Sequence, residues 1–267
     1  MMPDKEKRVF GTTEWAVANA NYLNGCSNDC KYCYSKDMAI RFKRKTSESW
    51  KNEEVNWTAY NRIIRNKGGY VMFPSTHDIT PDHLHLALDY LSRLLQNGNS
   101  VLIVTKPSFE CVKSICETFT EYKDFILFRF TIGSINSDTL KFWEPNASDY
   151  SERKQSLIYA YTAGFKTSIS CEPMLDNNIQ AVIEDLSKYV TDAIWLGKMN
   201  FVLRRLRTNG HTDELTLKAA NQILSWQSDD EIKALYNKYK DNPMIKWKES
   251  IKKVVGLDIS VVKGEDK

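Results

Sequence analysis

The chain has 267 residues, of which 42% are hydrophobic and 27% charged, with only 11 glycines and 7 prolines. This excludes a collagenous, low-complexity or disordered chain and leaves enough length for one large domain with a substantial core. The net charge of +3, from 37 basic and 34 acidic residues, is too balanced to argue for nucleic acid by itself. No apolar run of about 18 residues is present, so no membrane span is expected. The charged start, Met1 to Arg8, has no apolar stretch behind it, so no signal peptide is expected either.

Along the chain, apolar β-type runs alternate with helical periodicities. Residues 15–23 read as a first strand that leads into a cysteine-rich loop. Residues 53–66 have apolar positions at helical spacing and end at Gly68-Gly69. Residues 70–73 read as a short buried strand, and residues 82–96 as an amphipathic helix capped by Thr80 with Pro81 just inside. Strands at 100–105, 125–132, 165–171 and 193–197 alternate with helices at 108–122, 151–163 and 179–190. Six strands joined by helical crossovers predict a parallel sheet. The expected fold class is therefore α/β, a partial (β/α)6 barrel of the TIM type, over residues 1–203. Residues 204–267 are expected to form a mostly helical extension, with helices at 213–226, 229–239 and 244–254 and a last strand at 258–262. Its basic stretch from Lys246 to Lys253 reads either as a solvated helix face or as a surface for a polyanion.

In such sheets chemistry sits at the C-terminal ends of the strands. Those ends carry the cysteine loop, Pro74 to Asp78, Thr105-Lys106, Thr131, Cys171-Glu172-Pro173 and Lys198 to Asn200.

Of six cysteines, Cys26, Cys30 and Cys33 crowd into one loop. A chain of this size without an export signal points to reduced thiols in a cytoplasmic setting. Thiolates suit zinc or iron–sulfur clusters. Structural zinc takes four ligands, and here a fourth would have to come from His77 or Cys171. Three local cysteines fit a 4Fe–4S cluster with one open iron. Cys111 and Cys116, five residues apart on a helix, read as core.

The pattern C-x3-C-x-aromatic-C, here Cys26, Cys30, Tyr32 and Cys33 after a first strand, resembles the radical S-adenosylmethionine superfamily. Asn24-Gly25, Tyr34, Thr105-Lys106 and Glu144-Pro145 with Arg153 are similar to its branch around spore photoproduct lyase. Ser170 to Leu175 and Ile194 to Gly197 also resemble phage-associated relatives of unknown function. The resemblance implies an enzyme whose 4Fe–4S cluster binds S-adenosylmethionine. Reductive cleavage then gives a 5′-deoxyadenosyl radical that abstracts hydrogen from a substrate. It also implies an electron donor of the flavodoxin or ferredoxin type. The substrate remains open, with nucleic acid or a nucleotide-derived compound as candidates. One departure stands out: Ser75 occupies the position at the second strand's end where the lyase has a catalytic cysteine, so thymine-dimer repair is not expected.

The same resemblance assigns cofactor contacts to Tyr32, Ser75, Thr76, Lys106 and Thr131. Ser75 and Thr76 would meet the methionine amino group, Lys106 the carboxylate, and Thr131 the ribose or carboxylate. Cys171 and Glu172 are the catalytic candidates, the thiol as hydrogen donor and the carboxylate toward adenine or substrate. Strand alternation sets the two on opposite faces, so only one of them would serve. Glu144 and Arg153 read as a bracing pair, Arg129 as an anion contact or a structural ion pair, and His77-Asp78 as a titratable pair or a turn. The rival reading is a non-catalytic zinc or iron–sulfur module that engages nucleic acid or protein through its basic C-terminal helices.

Overall fold

The computed structural model describes residues 9–265; the charged start lies outside them. In chain order the elements are β1 (Ala18–Asn19), β2 (Leu23–Asn24), α1 (Tyr34–Arg41), β3 (Glu54–Val55), α2 (Trp57–Tyr60) and β4 (Tyr70–Met72). Then come α3 (Leu84–Gln96), β5 (Ser100–Thr105), α4 (Phe109–Thr118), β6 (Ile126–Thr131), α5 (Ser137–Trp143), α6 (Tyr150–Thr162) and β7 (Lys166–Cys171). The chain ends with α7 (Ile179–Leu186), β8 (Ile194–Leu196), α8 (Val202–Asn209), α9 (Glu214–Trp226), α10 (Asp229–Tyr239), β9 (Ile245–Trp247) and α11 (Glu249–Val255).

Seven strands form one sheet in the order β1-β4-β5-β6-β7-β8-β9, and every neighbouring pair is parallel. Sequential parallel order with helical crossovers is the topology of an open, partial barrel. Side-chain alternation divides the sheet into two faces. Ile103, Phe128, Phe130, Ile169, Ile194 and Leu196 point outward into the main core beneath the helices. Leu102, Leu127 and Trp195 point inward, where they pack with Trp15. Helix α6 sits where its local signals place it. Asp149 accepts from the Glu152 backbone N–H at 2.9 Å and opens α6, and Gly164, at φ +83°, follows its end.

The structure corrects several expectations. Residues 53–66 are not one helix: β3 pairs antiparallel with β2, and only α2 is helical. Trp57 and Ile63, two of the apolar positions in that pattern, are exposed and mark no buried face. Only two residues of the 15–23 stretch join the main sheet. The stretch 244–254 begins as β9, a seventh strand beside β8, so the boundary expected at residue 203 falls within one sheet. Its Lys248 and Lys252 are buried and lie on no solvated face. Residues 258–262 form no strand. Among the described residues, no helix is long and apolar enough to cross a membrane.

Candidate active site

The strand C-termini open into a cleft of about 500 Å³. Its first wall is the cysteine loop. Gly25 introduces this loop at φ +105°, and a Cβ there would meet the Asn52 and Trp50 carbonyl oxygens at 2.5 and 2.6 Å. Only glycine fits. The Cys26 N–H donates to the Trp50 carbonyl at 3.0 Å. Asp29, in the left-handed region at φ 44°, is pinned by the Lys36 ammonium at 2.7 Å. Cys33 caps α1, its Sγ accepting from the Lys36 N–H at 3.4 Å.

Cys26, Cys30 and Cys33 all line the cleft. Burial pushes all three thiols up, so each favours its neutral form until a metal takes the proton's place. Neither proposed fourth ligand is available. His77 Nε2 accepts from the Tyr22 N–H at 3.3 Å, and its Nδ1 lies 2.9 Å from the Asp78 carbonyl, so both ring nitrogens are held by backbone. Burial lowers His77 to about 4, so it is a neutral core histidine and no titrating partner of Asp78. Cys171 is fully buried among the outward-facing apolar side chains. Among the described residues, no three His, Cys, Asp or Glu side chains converge as the ligand set of a single metal ion. What the cleft wall offers is three soft sulfurs, a donor chemistry that suits an iron–sulfur cluster held at three corners.

A second set of residues braces this wall. The Tyr32 hydroxyl donates to Glu144 Oε1, while Glu144 Oε2 lies 2.6 Å from Arg153 Nη2. Arg153 also donates to the carbonyls of Thr131 and Ser148 at 3.0 and 2.8 Å. Burial alone would raise the Glu144 carboxyl, but Arg153 and Lys106 outweigh it and hold the group below the usual range. The pair is thus the brace the sequence suggested. Lys106 reaches into the cleft with its ammonium 3.9 Å from Glu144. Burial disfavours its charge, but Cys30, Glu144 and Asp78 together raise its pKa, so it stays cationic. Asp78 joins three segments. It accepts from Asn28 Nδ2 at 2.9 Å, from the Lys106 N–H at 3.0 Å and from the Thr105 hydroxyl. Asn21 shapes the β4 turn: its Oδ1 accepts from the N–H groups of Ser75 and Thr76 at 2.7 and 2.9 Å. Neither role is legible in the sequence, since Asn21 and Asp78 each act through a contact more than twenty residues away.

The opposite pole holds buried charge. Lys248, at the end of β9, lies 2.5 Å from Glu14 and 3.5 Å from Glu172, and its ammonium sits 3.9 Å from the Trp15 ring centroid. Burial, with Glu249 adding to it, raises Glu14 to about 7 against the pull of Lys248. Glu172 and Glu249 line the cleft. Gly197 leaves room for this group, because a Cβ there would come within 2.9 Å of Glu172 and 3.0 Å of Lys248. Deeper in, Arg129 is a structural plug. It bonds Ser168 and Asp192, both at 3.0 Å, between the rings of Trp15 and Trp195, and does not line the cleft.

The rim carries Phe10, Tyr34, Phe201 and Arg205. Phe201 is left-handed at φ 55°, a conformation that costs an L-residue about 1–2 kcal/mol, and is 66% exposed.

Of the residues assigned from sequence, Cys26, Cys30, Tyr32, Cys33, Ser75, Thr76, Lys106, Thr131 and Glu172 all line this one cleft. Cys171 does not. Alternation along β7 turns Ser170 and Glu172 inward and Cys171 outward, as the sequence pattern implied.

No protein-family model matches the chain, and comparison with curated proteins finds no match. Solved structures do match. Spore photoproduct lyase complexed with a dinucleoside spore photoproduct superposes with a TM-score of 0.57 at 15% identity, over 92% of this chain and 79% of the other. Streptococcus suis SuiB bound to S-adenosylmethionine gives 0.53 at 12% identity, over 93% of this chain and 54% of SuiB. SuiB bound to the precursor peptide SuiA gives 0.51 at 12% identity, over 96% of this chain and 55% of SuiB. The chain shares its fold with spore photoproduct lyase and SuiB. This chain spans about half the length of SuiB.

Proposed function

We propose that this chain is a radical S-adenosylmethionine enzyme that abstracts hydrogen from a substrate still to be identified. One observation carries the reading. The three cysteines of a C-x3-C-x-aromatic-C loop share a single cleft with Ser75, Thr76, Lys106 and Thr131, at the strand C-termini of an open parallel barrel. Cys26, Cys30 and Cys33 would hold the 4Fe–4S cluster at three irons. With cluster and S-adenosylmethionine bound and one electron supplied, the chemistry is reductive cleavage of the cofactor to methionine and a 5′-deoxyadenosyl radical.

The chain's own residues then have defined tasks. Lys106 holds the cofactor carboxylate by a charge-assisted contact. Ser75 and Thr76, set by Asn21, present oxygens to its ammonium. Tyr32, tied to Glu144, fixes the cysteine loop against β6. Thr131 and Glu172 flank the nucleoside end. The core position of Cys171 argues against that thiol as hydrogen donor. The electron comes from a flavodoxin or ferredoxin type of donor in the cytoplasm, and the C-terminal region reaches the cleft through Arg205 of α8 and Glu249 of α11.

Anaerobic reconstitution with iron and sulfide tests this. The reduced protein, given S-adenosylmethionine, should form 5′-deoxyadenosine and bind close to four irons per chain, as the cluster formula requires. Full iron content without 5′-deoxyadenosine above a Cys30→Ala control would refute it.

A further inference from the structure

Two rim residues have no task in that chemistry. Phe201 keeps its ring in solvent while its backbone is held left-handed, where glycine would sit without strain. The Arg204 guanidinium lies 4.8 Å from the ring centroid and leaves most of the ring in solvent, and such backbone outliers cluster at functional positions. Arg205 lies one turn further along the start of α8, on the same face. Its guanidinium is 5.8 Å from the Phe201 ring centroid and 6.0 Å from that of Tyr34. Its Nε is buried and has no acceptor.

The charged groups around Arg205 are Arg204, Asp37 and Glu172, and the Cys33 thiol lies beside them. Asp37 is engaged by Arg204 at 3.2 Å, and Glu172 by Lys248 at 3.5 Å. A half-buried cation whose acidic neighbours are already taken is a receptor for an outside anion. Its planar fork matches phosphate or carboxylate. The eight residues of α8 include Arg204, Arg205 and Arg207 and no acid, so positive charge continues outward from the cleft.

We propose that this rim is the substrate subsite and that it takes a nucleotide unit, with the base stacked on Phe201 and the phosphate held by Arg205. The proposal rests on the enzyme reading above. A carboxylate alone would satisfy the fork but leave the exposed aromatic ring unused. A base uses the ring through its π-face, and the further arginines of α8 suit a continuing phosphate backbone.

The test uses the full chain, anaerobically reconstituted, and a fluorescein-labelled single-stranded oligodeoxynucleotide followed by anisotropy. Binding should weaken as salt rises. A nucleoside monophosphate should compete, and the matching nucleoside without phosphate should compete at least about ten-fold less well. Competition by the monophosphate as good as that of the oligonucleotide marks a free nucleotide as the source; much stronger competition by the oligonucleotide marks a polymer. Arg205→Gln should weaken binding by about ten- to a hundred-fold, and Arg205→Lys should restore it only in part. Phe201→Gly should weaken binding by about five- to a hundred-fold while the thermal midpoint holds or rises, and Phe201→Tyr should keep binding.

Tighter binding of an acidic peptide than of the oligonucleotide would overturn the proposal. So would unchanged nucleotide affinity in both Arg205→Gln and Phe201→Gly. An equal loss of S-adenosylmethionine affinity in Arg205→Gln would assign that residue to the cofactor and overturn it as well. Formation of 5′-deoxyadenosine is measured on the same preparations. Intact cofactor cleavage without oligonucleotide binding sinks the subsite alone, and the converse sinks the enzyme reading alone.

Discussion

Tyr32, between the second and third cysteines of the loop, donates its hydroxyl to Glu144, 112 residues further along the chain. Glu144 is in turn 2.6 Å from the fully buried Arg153. The loop that carries the three thiols is thereby bolted to the end of β6, the strand that supplies Thr131. Removing one partner of a buried ion pair leaves the other without compensation, at a cost of about 3–5 kcal/mol. Glu144→Ala and Arg153→Met should each destabilise the fold by that amount in urea titrations. Tyr32→Phe deletes one hydrogen bond to a charged group and should cost only about 1.5–3 kcal/mol. Equal losses for all three would show that the tyrosine, and not the ion pair, is the keystone.

Cluster assembly separates the cysteines into two classes. Cys26→Ala, Cys30→Ala and Cys33→Ala should each lose the iron and its broad visible absorption, because each removes one of three soft donors. Cys111→Ala, Cys116→Ala and Cys171→Ala should keep the iron, since all three thiols are buried beneath the helices on the outer side of the sheet. Iron analysis of the six variants decides the matter. A loss at Cys171 would put that residue back among the ligands.

Local periodicity carried much of the fold. The β-branched run of β5 and the apolar run of β6 announced buried parallel strands, and Gly164 marked the end of α6, whereas its Asp149 cap became visible only in the structure. Three strand-end candidates, Lys106, Thr131 and Glu172, reached the cleft because alternation along a strand is strict. What stayed illegible depends on distant partners. Trp57 and Ile63 mimic a helical stripe but point to solvent. Lys248 reads as one more surface lysine until Glu14, more than two hundred residues away, is brought against it. Asn21 and Asp78 are ordinary polar residues in sequence. Their roles exist only once β1, β4 and β5 lie side by side.

Lys106 offers a direct probe of the proposed cofactor end of the cleft. Its ammonium lines the cleft and has Glu144 at 3.9 Å as its ion-pair partner. Lys106→Met keeps the apolar stem and removes the charge. It should weaken S-adenosylmethionine binding by about ten- to a hundred-fold while iron content holds, as expected for loss of one charge-assisted contact. Lys106→Arg should recover only part of this, because a planar fork does not replace a compact ammonium. Anaerobic titration of the cofactor measures both. Unchanged affinity in Lys106→Met would mean that the lysine serves Glu144 alone.

The Lys248 pole should show itself in the pH dependence of stability. Glu14 faces Lys248 from the β9 end and Glu249 from α11, and Glu172 of β7 shares the same ammonium. Burial raises Glu14 from an ordinary 4.5 to about 7 in the folded protein. A raised folded pKa means that the protonated form is favoured by folding. Its contribution is complete below pH 4.5 and is lost as pH rises through about 7, a change of roughly 3 kcal/mol at about 1.4 kcal/mol per pH unit. Glu14→Gln keeps the shape and cannot ionise, so its stability relative to wild type should improve by that order between pH 4.5 and 8. Urea titrations across this range give the difference. Lys248→Met should act oppositely, costing about 3–5 kcal/mol at pH 8 because it leaves buried carboxylates without their cation, and less at low pH where they are protonated. A difference between Glu14→Gln and wild type that stays flat with pH would show that Lys248 keeps Glu14 ionised throughout.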